Sequence, residues 1–298
     1  MTGAPPPAVM LYAPAGEPAK AEKAVRLPTD AVILDLEDAV APAAKPAARA
    51  WCARFLAEPA GGPERWVRVN DPAGPDWIDD VVAVTRPGLA GLVVPKVESA
   101  GQLARVDGAL AGLERDRGMT PGAVRLIATI ETPLGLRRAE AVASGSCRLA
   151  TLGFGAGDLS RLAGLDYPAV EGGAVVVLDR ARADLVLACA RAGVHPPHDS
   201  VYGRYSDIDG LRREAVRARQ MGFGGKHAIH PAQLAPLSEC FAVTAAEQEQ
   251  AARMVAAYDA AVADGLGAVG VDGILVDEPI AQRARRTLAA ARSDRARP

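Results

Sequence analysis

Leu126-Ile-Ala-Thr-Ile-Glu131-Thr-Pro133, a helical stretch, and then Arg148-Leu-Ala-Thr-Leu-Gly-Phe-Gly-Ala-Gly-Asp158-Leu-Ser160 set the pattern of this chain. Each segment is a short apolar run that closes on one carboxylate, Glu131 or Asp158. A short apolar run bounded by Pro or Gly reads as a buried strand. Each acid is therefore expected where a strand leaves the core. Two such acids close in space suit a hard cation, because Mg²⁺ commonly takes one or two carboxylates and fills its shell with water and substrate oxygens. The competing reading makes each a helix cap, with Asp158 as the N-cap of the next helix.

The same unit recurs on both sides. Upstream lie the runs Val9 to Tyr12, Ala31 to Leu36, Trp66 to Val69 and Leu89 to Val94. Downstream come a weak run, Val194 to Val201, broken by Pro196-Pro197, and a final one, Lys226 to Ile229. Helical spacing of apolar residues marks Pro18 to Leu27, Ala43 to Leu56, Ser99 to Arg115, Asp179 to Ala192 and Leu211 to Met221. The runs are continuously apolar rather than alternating, which means a parallel sheet covered on both faces. About eight strand–helix units in about 250 residues predict a (β/α)₈ TIM barrel, an α/β fold, over residues 1–240. An open doubly wound sheet is the competitor. The barrel is favoured by where the polar residues fall. Glu37, Asp38, Arg68, Lys96, Glu131, Asp158 and His230 all lie at or just past the C-terminal end of a run, which is the catalytic face of a barrel. Residues 241–298 hold an Ala-rich helix (Ala245 to Ala263), a Gly-rich then apolar segment (Gly267 to Asp277) and a last helix (Glu278 to Ala291). That tail is too short for an independent domain. It is expected to form a C-terminal helical extension, or lid, over its own barrel or that of a neighbouring copy.

Composition narrows the function. The chain has 298 residues, 49% of them hydrophobic, and a formal net charge of -2. It can bury a large core, and its near-neutral charge disfavours a nucleic-acid partner. The 4 Cys have no CxxC spacing, so Cys52, Cys147, Cys189 and Cys240 read as small core residues in a reducing compartment. No apolar run has the length of a membrane span. The Pro-rich start, Thr2 to Ala8, lacks the apolar centre of a signal peptide, so a cytoplasmic location is expected.

Arg68 sits within a strand-like run, where a charge must be paired or face a polar pocket. It is either a two-pronged clamp for a substrate carboxylate or the partner of Glu37 or Asp38 in an internal salt bridge. Glu37 and Asp38 can hold metal-bound waters, or Asp38 can cap the following helix. Asp35 lies inside its run and is expected at a helix interface. The segment Gly153-Phe-Gly-Ala-Gly-Asp fails the dinucleotide spacing because Asp158 takes the third Gly position. Gly155 and Gly157 instead let the backbone come close to a bound ligand. The four His form two HxxH pairs, His195/His198 and His227/His230. Residues three apart on a strand face opposite sides, and no third ligand has zinc spacing.

Together these motifs resemble a known family. Ile33-Leu-Asp-Leu-Glu-Asp-Ala-Val40, Val67-Arg-Val-Asn70, Pro95-Lys-Val-Glu-Ser99, Ile130-Glu-Thr-Pro133, Gly153 to Leu159, Gly222-Phe-Gly-Gly-Lys226 and Ile229-His-Pro-Ala-Gln233 occur in the order and spacing of the citrate lyase β-subunit-like family. That family belongs to the HpcH/HpaI aldolase superfamily, with malyl-CoA and citramalyl-CoA lyases among its members. The resemblance runs from about Val9 to about Leu288. It implies a TIM barrel with Mg²⁺, or alternatively Mn²⁺, on Glu131 and Asp158. It implies Arg68 on the oxo-acid part of the substrate, and Glu37 and Asp38 around metal waters. It also implies a homotrimer or a dimer of trimers, in which Asp277 of one copy reaches the site of the next. Asp277 reads equally well as the N-cap of the last helix.

The implied reaction is cleavage of a 3-hydroxyacyl-CoA into an acyl-CoA and a 2-oxo acid. Relatives that take CoA thioesters carry a basic residue in the loop after the first strand. Glu17 stands there in this chain, so Lys20 and Lys23 are the candidate contacts to CoA. Glu17 favours the alternative of a class II aldolase acting on free acids with pyruvate as the enolate. A citrate lyase β-type subunit is a further alternative, and a barrel that only binds oxo acids or CoA is the non-enzymatic one.

Overall fold

Eight parallel strands pair in sequence order, and the eighth returns to the first. In this computed structural model they are β1 (Val9–Pro14), β2 (Ala31–Asp35), β3 (Glu64–Arg68), β4 (Gly91–Val94), β5 (Arg125–Ile130), β6 (Leu149–Phe154), β7 (His198–Asp199) and β8 (Gly225–Ala228). The structure describes residues 4–58, 61–167 and 173–295. The helices between the strands are α1 (Pro18–Ala24), α2 (Lys45–Ala57), α3 (Trp77–Val84), α4 (Ala100–Asp116), α5 (Pro133–Arg137), α6 (Ala139–Ala143), α7 (Ala156–Ala163), α8 (Gly173–Ala192), α9 (Ile208–Met221) and α10 (Leu234–Phe241). The closed sheet excludes the open doubly wound alternative. Sequence periodicity missed α3 and α10, both only eight residues long.

The continuously apolar strands are explained by two cores. Outward residues such as Val32, Leu34, Val67 and Leu92 join the large core under the helices. Inward residues Met10, Ala31, Ile33, Trp66, Val93 and Ile127 form a small core within the barrel. Trp66 fills the inner space near the strand starts. Its indole donates to Glu64 at 2.8 Å, and the Arg125 guanidinium lies over its ring. Position 91 must be Gly, because a Cβ there would stand 2.2 Å from the Trp66 ring. Arg65 and Arg125 are also on strands, near their starts, whereas Arg68 ends β3.

The seventh run, expected over Val194 to Val201, contracts to the two residues of β7. Pro196 and Pro197 have no N–H to donate to a ladder. An ion cluster on the outer side ties this part of the barrel together. Asp199 and Lys226 are in register on β7 and β8. Lys226 is fully buried and its ammonium donates to Asp199 Oδ2, Glu214 Oε1 and the Ser200 carbonyl, each at 2.6 Å. Arg182 of α8 donates to Asp199 Oδ1 at 2.9 Å. Burial alone would raise the Asp199 carboxyl, but Lys226 and Arg182 outweigh it and hold the group below the ordinary carboxylate range.

The chain divides into two units, Met1–Phe241 and Ala242–Pro298. In the second, α11 (Ala245–Ala263) and α12 (Glu278–Arg295) pack with an antiparallel hairpin of β9 (Val269–Val271) and β10 (Ile274–Val276). The Gly-rich segment is therefore a hairpin. Asp272-Gly273, with φ of 49° and 77°, supplies the two left-handed residues that a tight hairpin turn requires. Met254, Tyr258, Val276 and Ala281 form its core.

The ion cluster yields a stability prediction. Lys226→Met removes the ammonium shared by Asp199 and Glu214 and leaves them Arg182, and removing one partner of a buried pair costs about 3–5 kcal/mol. Removal of the exposed Arg180–Asp184 pair should leave the midpoint close to that of the wild type, because solvent screens such a pair. Chemical denaturation followed by circular dichroism checks both; equal midpoints for the two variants would contradict the assignment.

Candidate functional site

A cavity of about 640 Å³ opens at the C-terminal ends of the strands, lined among others by Tyr12, Asp35, Arg68, Thr129, Glu131, Gly155, Gly157, Asp158, Ser200 and His227. Alternation along each strand decides which side chains reach it. In β2, Ala31 and Ile33 point inward, so Asp35 does too. This corrects the expectation of a helix-interface position for Asp35. Asp35 and Arg68 are in register on neighbouring strands. The pair makes two parallel hydrogen bonds, Arg68 Nε to Oδ1 at 2.8 Å and Nη2 to Oδ2 at 2.6 Å. Asp35 also accepts from the backbone N–H groups of Glu37 and Ala39, which shapes the loop after β2. Arg68 Nη1 lies 2.9 Å from Glu37 and 3.6 Å from Asp38. The internal salt bridge is thus present, with Asp35 as its main partner, and the guanidinium still lines the cavity beside the Tyr12 ring, 5.0 Å from its centre.

Glu131 follows β5 directly and is 5% exposed. Asp158 is not a strand-end residue. It sits in the first turn of α7, whose cap position is Gly155, and its Oδ1 accepts from Arg161 Nε and Nη2 at 3.0 and 2.9 Å. The positive end of a helix favours an acid there. Both acids line the same cavity. The two glycines differ in kind. A Cβ on Gly155 would stand 2.4 Å from Glu131 Cβ and Oε2, whereas one on Gly157 would meet only Tyr167 at 3.7 Å. Gly155 is what allows the β6–α7 backbone to pass against Glu131.

Lys96, among the polar residues at run ends but given no role by the sequence, joins these groups. Its φ of 51° is left-handed, a conformation costing about 1–2 kcal/mol for a residue with a Cβ. Its backbone N–H donates to Glu131 Oε1 at 2.8 Å. Its ammonium lies 2.5 Å from Glu37 Oε1, 3.7 Å from Asp158 Oδ2 and 3.8 Å from Asp38 Oδ1. Even so, the pocket holds more negative charge than its cations offset. Burial first, then the charges of Glu37 and Asp158, push the Glu131 carboxyl up to about 8. Burial likewise raises Glu37, against the pull of Arg68 and Lys96. Glu37 Oε2 is buried without a hydrogen bond despite its closeness to Arg68.

A hard divalent cation fits this donor set: an orphaned carboxylate oxygen, a carboxyl driven toward protonation, and an ammonium drawn among the acids. Among the described residues no three His, Cys, Asp or Glu converge on one metal. A pair of carboxylates leaves the other coordination positions to water and ligand oxygens, as Mg²⁺ prefers.

The remaining expected residues belong to other elements. Lys20 is exposed and ion-paired with Glu17 at 2.8 Å, and Lys23 is in the last turn of α1. Asp277 belongs to the C-terminal unit, where its Oδ1 accepts from the Ile280 N–H at 3.3 Å at the start of α12. The HxxH pairs dissolve. His198 and His227, from adjacent inward positions on β7 and β8, meet at 3.2 Å between ring nitrogens. Burial drives both well below the ordinary range, so both are neutral and one donates to the other. His230 instead caps a short turn, accepting from the Ala232 N–H, and stacks on Tyr205.

Residues 8–231 match the model of the HpcH/HpaI aldolase/citrate lyase family. The citrate lyase subunit beta of Escherichia coli K12 is 34% identical over 283 residues, 95% of this chain and 92% of that protein. The L-malyl-CoA/beta-methylmalyl-CoA lyase of Rhodobacter capsulatus is 33% identical, covering 90% of this chain and 89% of its own. A crystal structure of CitE from Mycobacterium tuberculosis in complex with magnesium, acetoacetate and coenzyme A superposes with a TM-score of 0.77 at 29% identity. It covers 97% of this chain and 98% of that one.

Two outcomes follow from the geometry. Gly155→Ala displaces Glu131 and should weaken Mn²⁺ binding at least about tenfold, with the far-ultraviolet spectrum unchanged; an unchanged affinity would mean the loop has slack. Burial and the neighbouring acids push the folded Glu131 carboxyl from its ordinary 4.5 up to about 8, so between these values the cation-free fold should hold a proton that the unfolded chain has lost. Its stability should therefore fall as pH rises from about 4.5 to about 8. Cation binding at pH 7 should release about one proton, read by calorimetry in buffers of different ionisation enthalpy. Glu131→Gln should abolish that release.

Proposed function

The chain belongs to the HpcH/HpaI aldolase/citrate lyase family, and we propose that it is a magnesium-dependent carbon–carbon lyase cleaving a 3-hydroxyacyl-CoA, such as malyl-CoA or citramalyl-CoA, into an acyl-CoA and a 2-oxo acid. The observation that carries this reading is the convergence of Glu131, Asp158 and Arg68 on one cavity at the catalytic face of the barrel. Relatives named for malyl-CoA cleavage, and a neighbour holding magnesium and coenzyme A, support it.

In this mechanism Glu131 and Asp158 would hold the cation, and Glu37 and Asp38 would accept hydrogen bonds from water around it. What Mg²⁺ or Mn²⁺ supplies when bound is polarisation of the oxygen that becomes the keto group, together with chelation of the adjacent carboxylate. Arg68 is immobilised by Asp35 and offers fixed positive charge to the substrate carboxylate without reorganising. A base takes the hydroxyl proton. The carbon–carbon bond then breaks, its electrons pass to the α-carbon of the thioester, and the acyl-CoA leaves as an enolate. Asp277 from a neighbouring copy in a homotrimer or a dimer of trimers is the proposed acid that returns a proton to that carbon. Lys20 and Lys23 are the proposed contacts to the CoA phosphates, and Gly155 and Gly157 let the substrate approach the backbone. Residues 241–298 are proposed as the lid that carries Asp277.

One observation favours a second reading. Lys20 is tied to Glu17, so the loop after β1 presents less positive charge than a phosphate-rich cofactor calls for. A class II aldolase acting on free hydroxy or oxo acids would need no such charge. A citrate lyase β-type subunit remains the third possibility for the same site.

Retro-aldol assays with CoA thioesters and with the matching free hydroxy acids separate these readings. Turnover of the thioester alone supports the lyase; turnover of the free acid alone supports the aldolase. Glu131→Ala should reduce metal-dependent turnover by more than about a thousandfold, with the barrel still folded. Wild-type turnover in that variant would remove the metal assignment.

A further inference from the structure

We propose that Lys96 is the built-in counter-ion of the candidate cation site: a positioning residue whose ammonium preassembles the carboxylates and competes with the divalent cation for them. This rests on the cation reading given above but adds a residue and a direction of effect to it.

Lys96 is singled out by its backbone. Among the described non-glycine residues, only Lys96 and Asp272 have positive φ. Asp272 is explained by a hairpin turn. No hairpin accounts for Lys96, which follows β4 after Pro95. Strain of this kind persists only where the surroundings impose it. Here the left-handed turn aims the N–H at Glu131 and the side chain back across the barrel mouth. One residue thereby reaches both proposed metal ligands and both acids proposed to hold metal waters. The two halves of the residue do different work. The N–H fixes the orientation of Glu131 whatever side chain is present. The ammonium, half-sheltered from solvent, offsets charge among Glu37, Asp38 and Asp158.

The competition follows from Coulomb's law. A fixed positive charge within 4 Å of three carboxylates lowers the negative potential that draws a divalent ion. It also keeps those carboxylates from repelling one another when no ion is bound. Arg68 gives two nitrogens to Asp35 and its third to Glu37, and Arg161 pairs with Asp158 from the exposed side, so neither stands between Glu37 and Asp158 as the Lys96 ammonium does. Removing the ammonium should therefore separate two properties that usually move together. The cation should bind more tightly, while the cation-free protein should become less stable.

Lys96→Met keeps the backbone strain and an unbranched side chain one atom shorter, and removes the ammonium with its charge and donors. Lys96→Gly removes the charge, relieves the strain and keeps the N–H to Glu131. The measurements are the Mn²⁺ dissociation constant by electron paramagnetic resonance and the melting temperature with and without chelator. Both variants should bind Mn²⁺ about tenfold or more tightly than wild type. Lys96→Met should melt several degrees lower than wild type in chelator and regain the difference when Mn²⁺ is added. Unchanged or weaker Mn²⁺ binding in Lys96→Met overturns the inference alone. Absence of Mn²⁺ binding by the wild-type protein overturns the cation reading and this inference with it. Neither measurement needs turnover, so failure of the lyase assay leaves the comparison interpretable.

Discussion

The mouth of the barrel depends on the bidentate pair between Asp35 and Arg68. Register puts the two side by side at the last inward level of β2 and β3, with Asp35 buried and Arg68 open only to the cavity. The pair fixes the plane of the guanidinium, and Asp35 uses its remaining capacity to fold the loop that presents Glu37. Arg68 then presents Nη1 to Glu37. A charged group so held does not need to be reoriented when an anionic ligand arrives, which is what electrostatic preorganisation requires. An isolated buried Arg would be costly; here its cost is offset by hydrogen bonds that also build the site.

The excess of acid around that pair is the second constraint. Asp35, Glu37, Asp38, Glu131 and Asp158 meet three close cations among the described residues, Arg68, Lys96 and, on the exposed side of Asp158, Arg161. Burial and mutual repulsion raise Glu131 to about 8. A fold selected only for stability would place apolar groups there, since replacing buried charges by well-packed hydrophobic residues is often neutral or favourable. Elsewhere the chain balances its buried charges. Lys226 is surrounded by Asp199 and Glu214, and Arg182 completes the set. The contrast between a balanced cluster on the outside of β7 and β8 and an unbalanced one inside the mouth distinguishes scaffold from site within one barrel.

How far each feature was legible depended on the range of the interaction behind it. The alternation of apolar runs and helices, the placement of polar residues at the C-terminal ends, and the cavity position of Glu131, Arg68 and Asp158 followed from local pattern. The inward direction of Asp35 was missed because a continuously apolar strand gives no sign of which parity faces the barrel. Asp158 was placed at a strand end because Gly155-Ala-Gly157 reads as a loop, whereas α7 begins at once on Gly155. The meeting of His198 with His227 could not be read from either HxxH spacing, because it joins two strands 29 residues apart.

By itself the sequence determined a barrel of parallel strands, the end of that barrel where polar side chains gather, and the family through its ordered motifs, because strand burial and end placement are encoded within each strand–helix unit. Only the tertiary structure decided which charges neutralise one another: Asp35 on Arg68, Lys96 between Glu131 and Glu37, Lys226 among Asp199 and Glu214. Those pairings depend on barrel closure and strand register, which bring together side chains from distant units and remove the water that would otherwise screen them.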